Sequence, residues 1–258
     1  MLKLRRVREA NMLEMDNNYI CLIDASVIKI QQSKKSSPVI ITIPHDGIFH
    51  DSDWQGILKF REKGVVGRDK HIWPIVRDVI LRTNKLSVVR GTFPRRIIDY
   101  NRSCDNFDIP SLVDGRMQQF FSNYHYAIEA FIERALSVYE KHHCLLLDIH
   151  GFDIQPSNEE YDIILGTNHR KTIQSGSDID SQLASFLRSR GYKVFLPTSK
   201  AVSGEKYIGA YTICQYSFKY QINAIQIEIA KKFRTKKGLE LGKKLSIDLA
   251  DFIELNFY

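Results

Sequence analysis

The sequence predicts an α/β fold: one sheet, parallel at its centre, with helices on both faces. Three observations carry this. Short continuous apolar runs, such as Val39-Ile40-Ile41-Thr42-Ile43 and Cys144-Leu145-Leu146-Leu147, read as strands buried on both sides. Longer stretches between them repeat apolar residues every three or four positions, as on a helix with one buried face. The two kinds of segment alternate along the chain, which is the pattern of strands joined by crossover helices.

Taken in order, residues 19–30 are rich in Ile and Val and read as a strand. Residues 31–37 form a polar loop ended by Pro38, and residues 39–44 (VIITIP) form a buried strand. Residues 46–67 are polar, contain Gly and lack a clear period, so they read as a loop with short helical pieces. Residues 71–81 look helical and 86–89 form a strand. Asp114 or Gly115 opens a helix running to about Lys141, with Ile128, Phe131, Ala135 and Leu136 on its core face. Residues 144–149 are a buried strand and 163–165 a weaker one. Residues 178–190 are an amphipathic helix closed by Gly191, a frequent helix stop. A strand over 192–196 ends at Pro197, another spans 224–229, and residues 239–257 close the chain as a helix. One domain over residues 1–258 is expected, with residues 1–18 as a peripheral basic segment.

Composition narrows the function. Hydrophobic residues are 43% and charged residues 26% of the 258, which is globular and not disordered or fibrous. No apolar run approaches the roughly 20 residues of a membrane helix, and no apolar segment follows the basic start as in a signal peptide. A cytoplasmic location and no membrane partner are therefore expected. Cys21, Cys104, Cys144 and Cys214 lie far apart without a C-x-x-C pair, which argues against a zinc ribbon or a disulfide framework. There are 37 Lys+Arg against 30 Asp+Glu, a net charge of +7. Basic residues cluster at 3–8 and at Lys231, Lys232, Arg234, Lys236 and Lys237. Acidic residues are interspersed elsewhere, so nucleic-acid binding is not the expected function. A positive surplus also suits an anionic small substrate.

Ligands of α/β sheets sit beyond the carboxyl ends of the strands, and the chemically notable residues fall there. His45 follows one apolar run in Pro44-His45-Asp46-Gly47. His150 follows another in Asp148-Ile149-His150-Gly151. Glu228 ends a third, Gln226-Ile227-Glu228. Two imidazoles and a carboxylate are ligand types of a catalytic zinc. A fourth stretch, Pro94-Arg95-Arg96-Ile97-Ile98-Asp99-Tyr100-Asn101-Arg102, supplies arginines. Their planar fork suits a carboxylate or a developing oxyanion. Each of these residues alone also has an ordinary structural role.

Together, in this order, the four motifs resemble those of the N-formylglutamate amidohydrolase family. That family carries a Pro-His-Ser-Gly turn, a Ser-Arg-x-x-x-Asp-Leu-Asn-Arg stretch, an Asp-x-His-Ser strand end and a Gln-x-Glu strand. Lesser matches are Tyr124-His125, Asp162 with Leu165-Gly166-Thr167, and Tyr207-Ile208-Gly209-Ala210-Tyr211. The resemblance covers residues 19 to 234. It departs at Asp46 and Gly151, which stand where the family has Ser, and at Pro94 and Tyr100. It implies a three-layer αβα, zinc-carboxypeptidase-like fold with a mixed, mostly parallel sheet.

The resemblance also implies one zinc, or another divalent metal, held by His45, His150 and a carboxylate. Asp69 is the first choice for that carboxylate, with Asp46 as runner-up and helix capping as the ordinary role of Asp69. Glu228 would be the general base and Arg95 an oxyanion stabiliser. Asn101 and Arg102 would hold a substrate carboxylate. His125 would contact substrate or be structural, and Asp148 would orient a ligand or a neighbouring Arg. His71 could compete with Asp69. The implied reaction is hydrolysis of a linear N-formyl or N-acyl amide on a small anionic amino acid such as N-formyl-L-glutamate. Rival readings are a carboxypeptidase-like zinc peptidase on the same fold, a non-catalytic binding relative, and a nucleic-acid-binding module.

Overall fold

The computed structural model describes residues 20–23, 27–31, 36–47, 69–83, 86–95, 98–103, 115–197 and 207–258. Residues 1–18, most of the loop expected over 46–67, His50, Arg96, Cys104 and Asp114 lie outside them. Among the described residues, eight strands form one sheet, built from β1 (Ile20–Ile23), β2 (Val27–Gln31), β3 (Val39–Ile43), β4 (Ser87–Gly91), β5 (Leu145–Phe152), β6 (Ile163–Gly166), β7 (Val194–Phe195) and β8 (Asn223–Ala230). Their spatial order is β1-β2-β4-β3-β5-β8-β6-β7. The centre, β4-β3-β5-β8, is parallel, while β1 and β2 add antiparallel at one edge and β6 pairs antiparallel with β8. The fold is thus a mixed, mostly parallel αβα architecture.

The helices are α1 (Ile72–Arg82), α2 (Gly115–Leu136), α3 (Ile179–Ser189), α4 (Tyr211–Tyr220) and α5 (Leu239–Phe257). Side chains alternate across a strand, so each central strand feeds two cores. Val39, Ile41, Leu145, Leu147, Ile225 and Ile227 pack with α1, α3 and α5. Ile40, Leu146 and Ala224 pack with α2 and α4. On this second face the strands change character toward their carboxyl ends: Ile40 gives way to Thr42, Leu146 to Asp148 and His150, and Ala224 to Gln226 and Glu228. In-register pairing sets Thr42 beside Asp148, Asp148 beside Gln226, and His150 beside Glu228.

Four elements differ from the sequence expectation. The strand expected over 19–30 is two antiparallel strands, β1 and β2. The helix α2 ends at Leu136, and a 3-10 turn at Lys141–His143 leads into β5. His150 and Glu228 lie inside β5 and β8, each two residues before its strand ends. The helix α4 was not expected. Its sequence, YTICQYSFKY, is rich in aromatic and β-branched residues that lose rotamer freedom in a helix. Burial of Thr212, Ile213, Tyr216 and Ser217 on one face outweighs that propensity. No helix among the described residues is long and apolar enough to cross a membrane.

Candidate active site

The polar ends of β3, β5 and β8 meet the turn before α1 and the segment after β4. His45 leaves β3 in a turn that packs closely on that segment: a Cβ at Gly47 would overlap the Phe93 backbone, which only glycine avoids. Asp69 is tied to the same turn, its backbone N–H donating to the His45 carbonyl at 3.2 Å. His45, Asp69 and His150 are all buried, and one ligand atom of each lies within 4.8 Å of the others. Asp69 Oδ2 is 3.4 Å from His45 Nδ1 and 3.1 Å from His150 Nδ1. The two rings meet nearly edge to face, 4.7 Å apart.

Both imidazoles turn the same nitrogen inward. Their outer nitrogens are held by carboxylates: His45 Nε2 donates to Asp99 Oδ1 at 2.7 Å, and His150 Nε2 to Asp148 Oδ2 at 2.9 Å. With Nε2 held outward, each imidazole turns Nδ1 toward Asp69, the arrangement in which a carboxylate behind the ring orients a metal-binding imidazole. His45 Nδ1 is buried without a hydrogen-bond partner. That orphan, beside a second Nδ1 and a carboxylate, is what a cation would satisfy.

The electrostatics follow from this crowding. Burial would raise the Asp69 carboxyl, but the hydrogen bond from His150 and the close charge of both histidines outweigh it and hold it well below the usual range. Asp99 is likewise held low against its own burial, by His45 and Arg95. Burial pushes His150 down, but Asp148 and Asp69 more than reverse that and raise it. Glu228 is raised, chiefly by burial and further by Asp69, against the opposing effect of His150. Its Oε1 accepts the Gln226 amide at 2.8 Å.

Asp99 links the histidines to the arginines. Its Oδ2 accepts Arg95 Nε at 3.0 Å and Arg102 Nε at 2.9 Å, while Oδ1 also accepts the Asn101 N–H at 3.1 Å. Each arginine is anchored by one nitrogen, and the Arg102 side chain stays more than half exposed. Asn101 is buried. Its Oδ1 accepts the Thr212 N–H at 2.8 Å, and its Nδ2 lies 3.0 Å from His150 Nε2. Asp148 is steadied by the Thr42 hydroxyl at 2.6 Å.

His125 sits apart from this cluster, with both ring nitrogens engaged by the protein. Nε2 donates to the Tyr100 carbonyl at 3.0 Å and Nδ1 accepts the Tyr216 hydroxyl at 2.6 Å. Burial lowers its pKa to about 4 from 6.5. Between pH 6.5 and 4 the unfolded chain therefore takes up a proton that the folded chain refuses. Stability should fall through that window by about 3 kcal/mol. Denaturant unfolding at pH 7 and pH 4.5 should show a smaller pH loss for His125→Gln than for wild type; equal losses would refute the assignment.

Asp69, the first choice as ligand, faces the histidines, and Asp46, the runner-up, takes the capping role instead. Asp46 Oδ2 accepts the Trp73 N–H at 2.7 Å, satisfying an open donor in the first turn of α1. His71 is exposed, in a left-handed conformation at the start of α1. Roles not visible in the sequence are those of Thr42 on Asp148, Thr212 on Asn101, Asp99 on His45, and Arg234, which is buried rather than part of a solvated basic cluster. Such pairings join residues 54 to 111 positions apart, and no local pattern signals them.

Residues 108–233 match the family model of N-formylglutamate amidohydrolase. That stretch contains His125, Asp148, His150 and Glu228; His45, Asp69, Arg95, Asp99 and Arg102 precede it. No curated protein matches the sequence. A solved N-formylglutamate amidohydrolase from Ralstonia eutropha JMP134 is similar in fold, with a TM-score of 0.71 at 19% identity, over 90% of this chain and 99% of that one. A gene product of Agrobacterium tumefaciens is similar with a TM-score of 0.62 at 14% identity, over 86% and 91% of the two chains. The chain resembles the N-formylglutamate amidohydrolase family, in sequence over residues 108–233 and in fold along 90% of its length.

Proposed function

We propose that the protein is a metal-dependent amidohydrolase, one catalytic domain that cleaves the linear N-formyl or N-acyl amide of a carboxylate-bearing amino acid such as N-formyl-L-glutamate. The observation that carries this reading is the convergence of two Nδ1 atoms and the Asp69 carboxylate, each imidazole pinned from behind by an aspartate. His45, Asp69 and His150 would hold one divalent ion, zinc by the chemistry of the set, with iron, cobalt or manganese also compatible. Such an ion, when bound, brings a water's pKa down to about 7 and polarises the amide carbonyl.

The chain's own residues do the rest. Glu228, beside His150 in register, takes the proton of the attacking water and passes it to the leaving nitrogen. Its carboxyl is raised by burial, which suits a group that must both accept and release a proton. Arg95, positioned by Asp99, faces the developing oxyanion. Arg102, held at Nε, offers its terminal nitrogens to a substrate carboxylate. Asn101 has its Oδ1 taken up by Thr212 with Nδ2 packed against His150, and His125 has both ring nitrogens taken up by Tyr216 and Tyr100; we assign both residues the shape of the site rather than contact with substrate.

The test is release of formate and amine from N-formyl and N-acyl amino acids by protein supplied with zinc. Release of neither would sink the substrate assignment. Within the reading, Arg102→Ala should raise KM by roughly 10–100-fold, the scale of a lost charged hydrogen-bond pair, with kcat little changed. An unchanged KM in steady-state kinetics would leave Arg102 as a partner of Asp99 only.

A further inference from the structure

We propose that Arg234 is a positioning residue for the His45–Asp69–His150 centre, and that Gly151 is glycine because the Arg234 guanidinium occupies the space a side chain would need. This rests on the metal reading given above.

Arg234 follows β8 in a 3-10 turn, Lys231–Arg234, and its side chain is only 4% exposed. It gathers backbone from three places. Nε donates to the Ile229 carbonyl at 3.0 Å, at the end of β8. Nη2 donates to the Phe152 carbonyl at 3.0 Å, at the end of β5, and to Asp153 Oδ1 at 2.8 Å. Nη1 donates to the Lys70 carbonyl at 2.9 Å. Lys70 directly follows Asp69, and Phe152 lies two residues past His150. One planar fork therefore sets the turn carrying Asp69 against the strand carrying His150. A lysine, with its donors on a single atom, cannot span these acceptors.

Gly151 completes the device from the other side. Its N–H donates to Asp69 Oδ2 at 3.3 Å, the oxygen that faces both histidines. A Cβ built there would lie 2.8 Å from Arg234 Nη1 and closer still to Cζ and Nε. The guanidinium lies flat on the strand only because residue 151 has no side chain. The departure from a Ser-bearing strand end and the burial of Arg234 are thus one feature: the glycine makes room for the fork, and the fork fixes Asp69.

The experiment is a cobalt(II) titration followed by visible absorbance, with thermal unfolding of the metal-free proteins measured beside it. The proteins are wild type, Arg234→Ala, Arg234→Lys, Gly151→Ala and the Arg234→Ala/Gly151→Ala pair. Each single variant should weaken cobalt binding by on the order of tenfold or more, the range for groups that orient metal ligands. The double variant should bind no more weakly than the worse single one, because both remove the same contact. Should Arg234→Ala fail to fold, Gly151→Ala, which keeps the charge and displaces the fork, decides alone. Variants that melt lower yet bind cobalt like wild type would overturn the proposal and leave Arg234 a structural prop. Additive losses in the double variant would overturn the pairing of the two residues. Wild type that binds no cobalt would instead defeat the metal reading, and this proposal with it.

Discussion

Glu228→Gln should lower kcat by about 10²–10⁴, the usual contribution of a positioned general base, and leave the metal content unchanged. Gln keeps the size and shape of Glu but cannot take a proton at neutral pH. The site around it is otherwise retained: Gln226 still has a carbonyl oxygen to donate to, and the cluster of His45, Asp69 and His150 does not include residue 228. The substitution therefore separates proton transfer from ligation. Activity and elemental analysis on the same preparation check it. A variant keeping more than a tenth of wild-type turnover would remove Glu228 from the mechanism, whereas loss of metal along with activity would make it part of the ligand shell.

His45→Ala should reduce bound metal from about one ion per chain to less than about a tenth, and abolish activity with it. The imidazole supplies one of three converging donors, and its removal also strips Asp99 of its 2.7 Å partner. Asp99 then keeps only its arginines and the Asn101 N–H, so the clamp after β4 should survive better than the centre. Elemental analysis of wild type and variant after incubation with zinc is the measurement. Equal metal in the two proteins would place the ion elsewhere. No metal in wild type would replace the hydrolase by a binding protein that shares the fold.

Much of this architecture was legible in the sequence, and the reasons differ by element. The strands β3, β5 and β8 announce themselves because both faces are buried and the apolar runs are nearly unbroken. His45, His150 and Glu228 were visible as polar interruptions at the ends of those runs. The helix α4 was hidden because its residues favour strands and only tertiary packing makes them helical. The outward partners of the ligand candidates were hidden for another reason. Asp99 meets His45 and Thr42 meets Asp148 across 54 and 106 positions, and only the assembled sheet brings them into contact. Arg234 misled outright: in a run of five basic residues within seven it looked solvated, and it is the one that is buried.

The change of character along the second face of the sheet has a consequence for pairing. A strand such as β5, beginning Leu145-Leu146-Leu147, is apolar on both sides, so its first residues fit almost equally well one step up or down against β3 and β8. A slip of one residue would exchange the two faces. Asp148 and His150 would then point into the aliphatic layer under α1 and α5, and Leu147 and Ile149 into the space among Thr42, Gln226 and Glu228. Burying an unpaired carboxylate there would cost several kcal/mol, while the lost apolar contacts alone would cost little. The residues proposed to carry the chemistry are therefore also the ones that tell a repetitive strand which alignment is the right one.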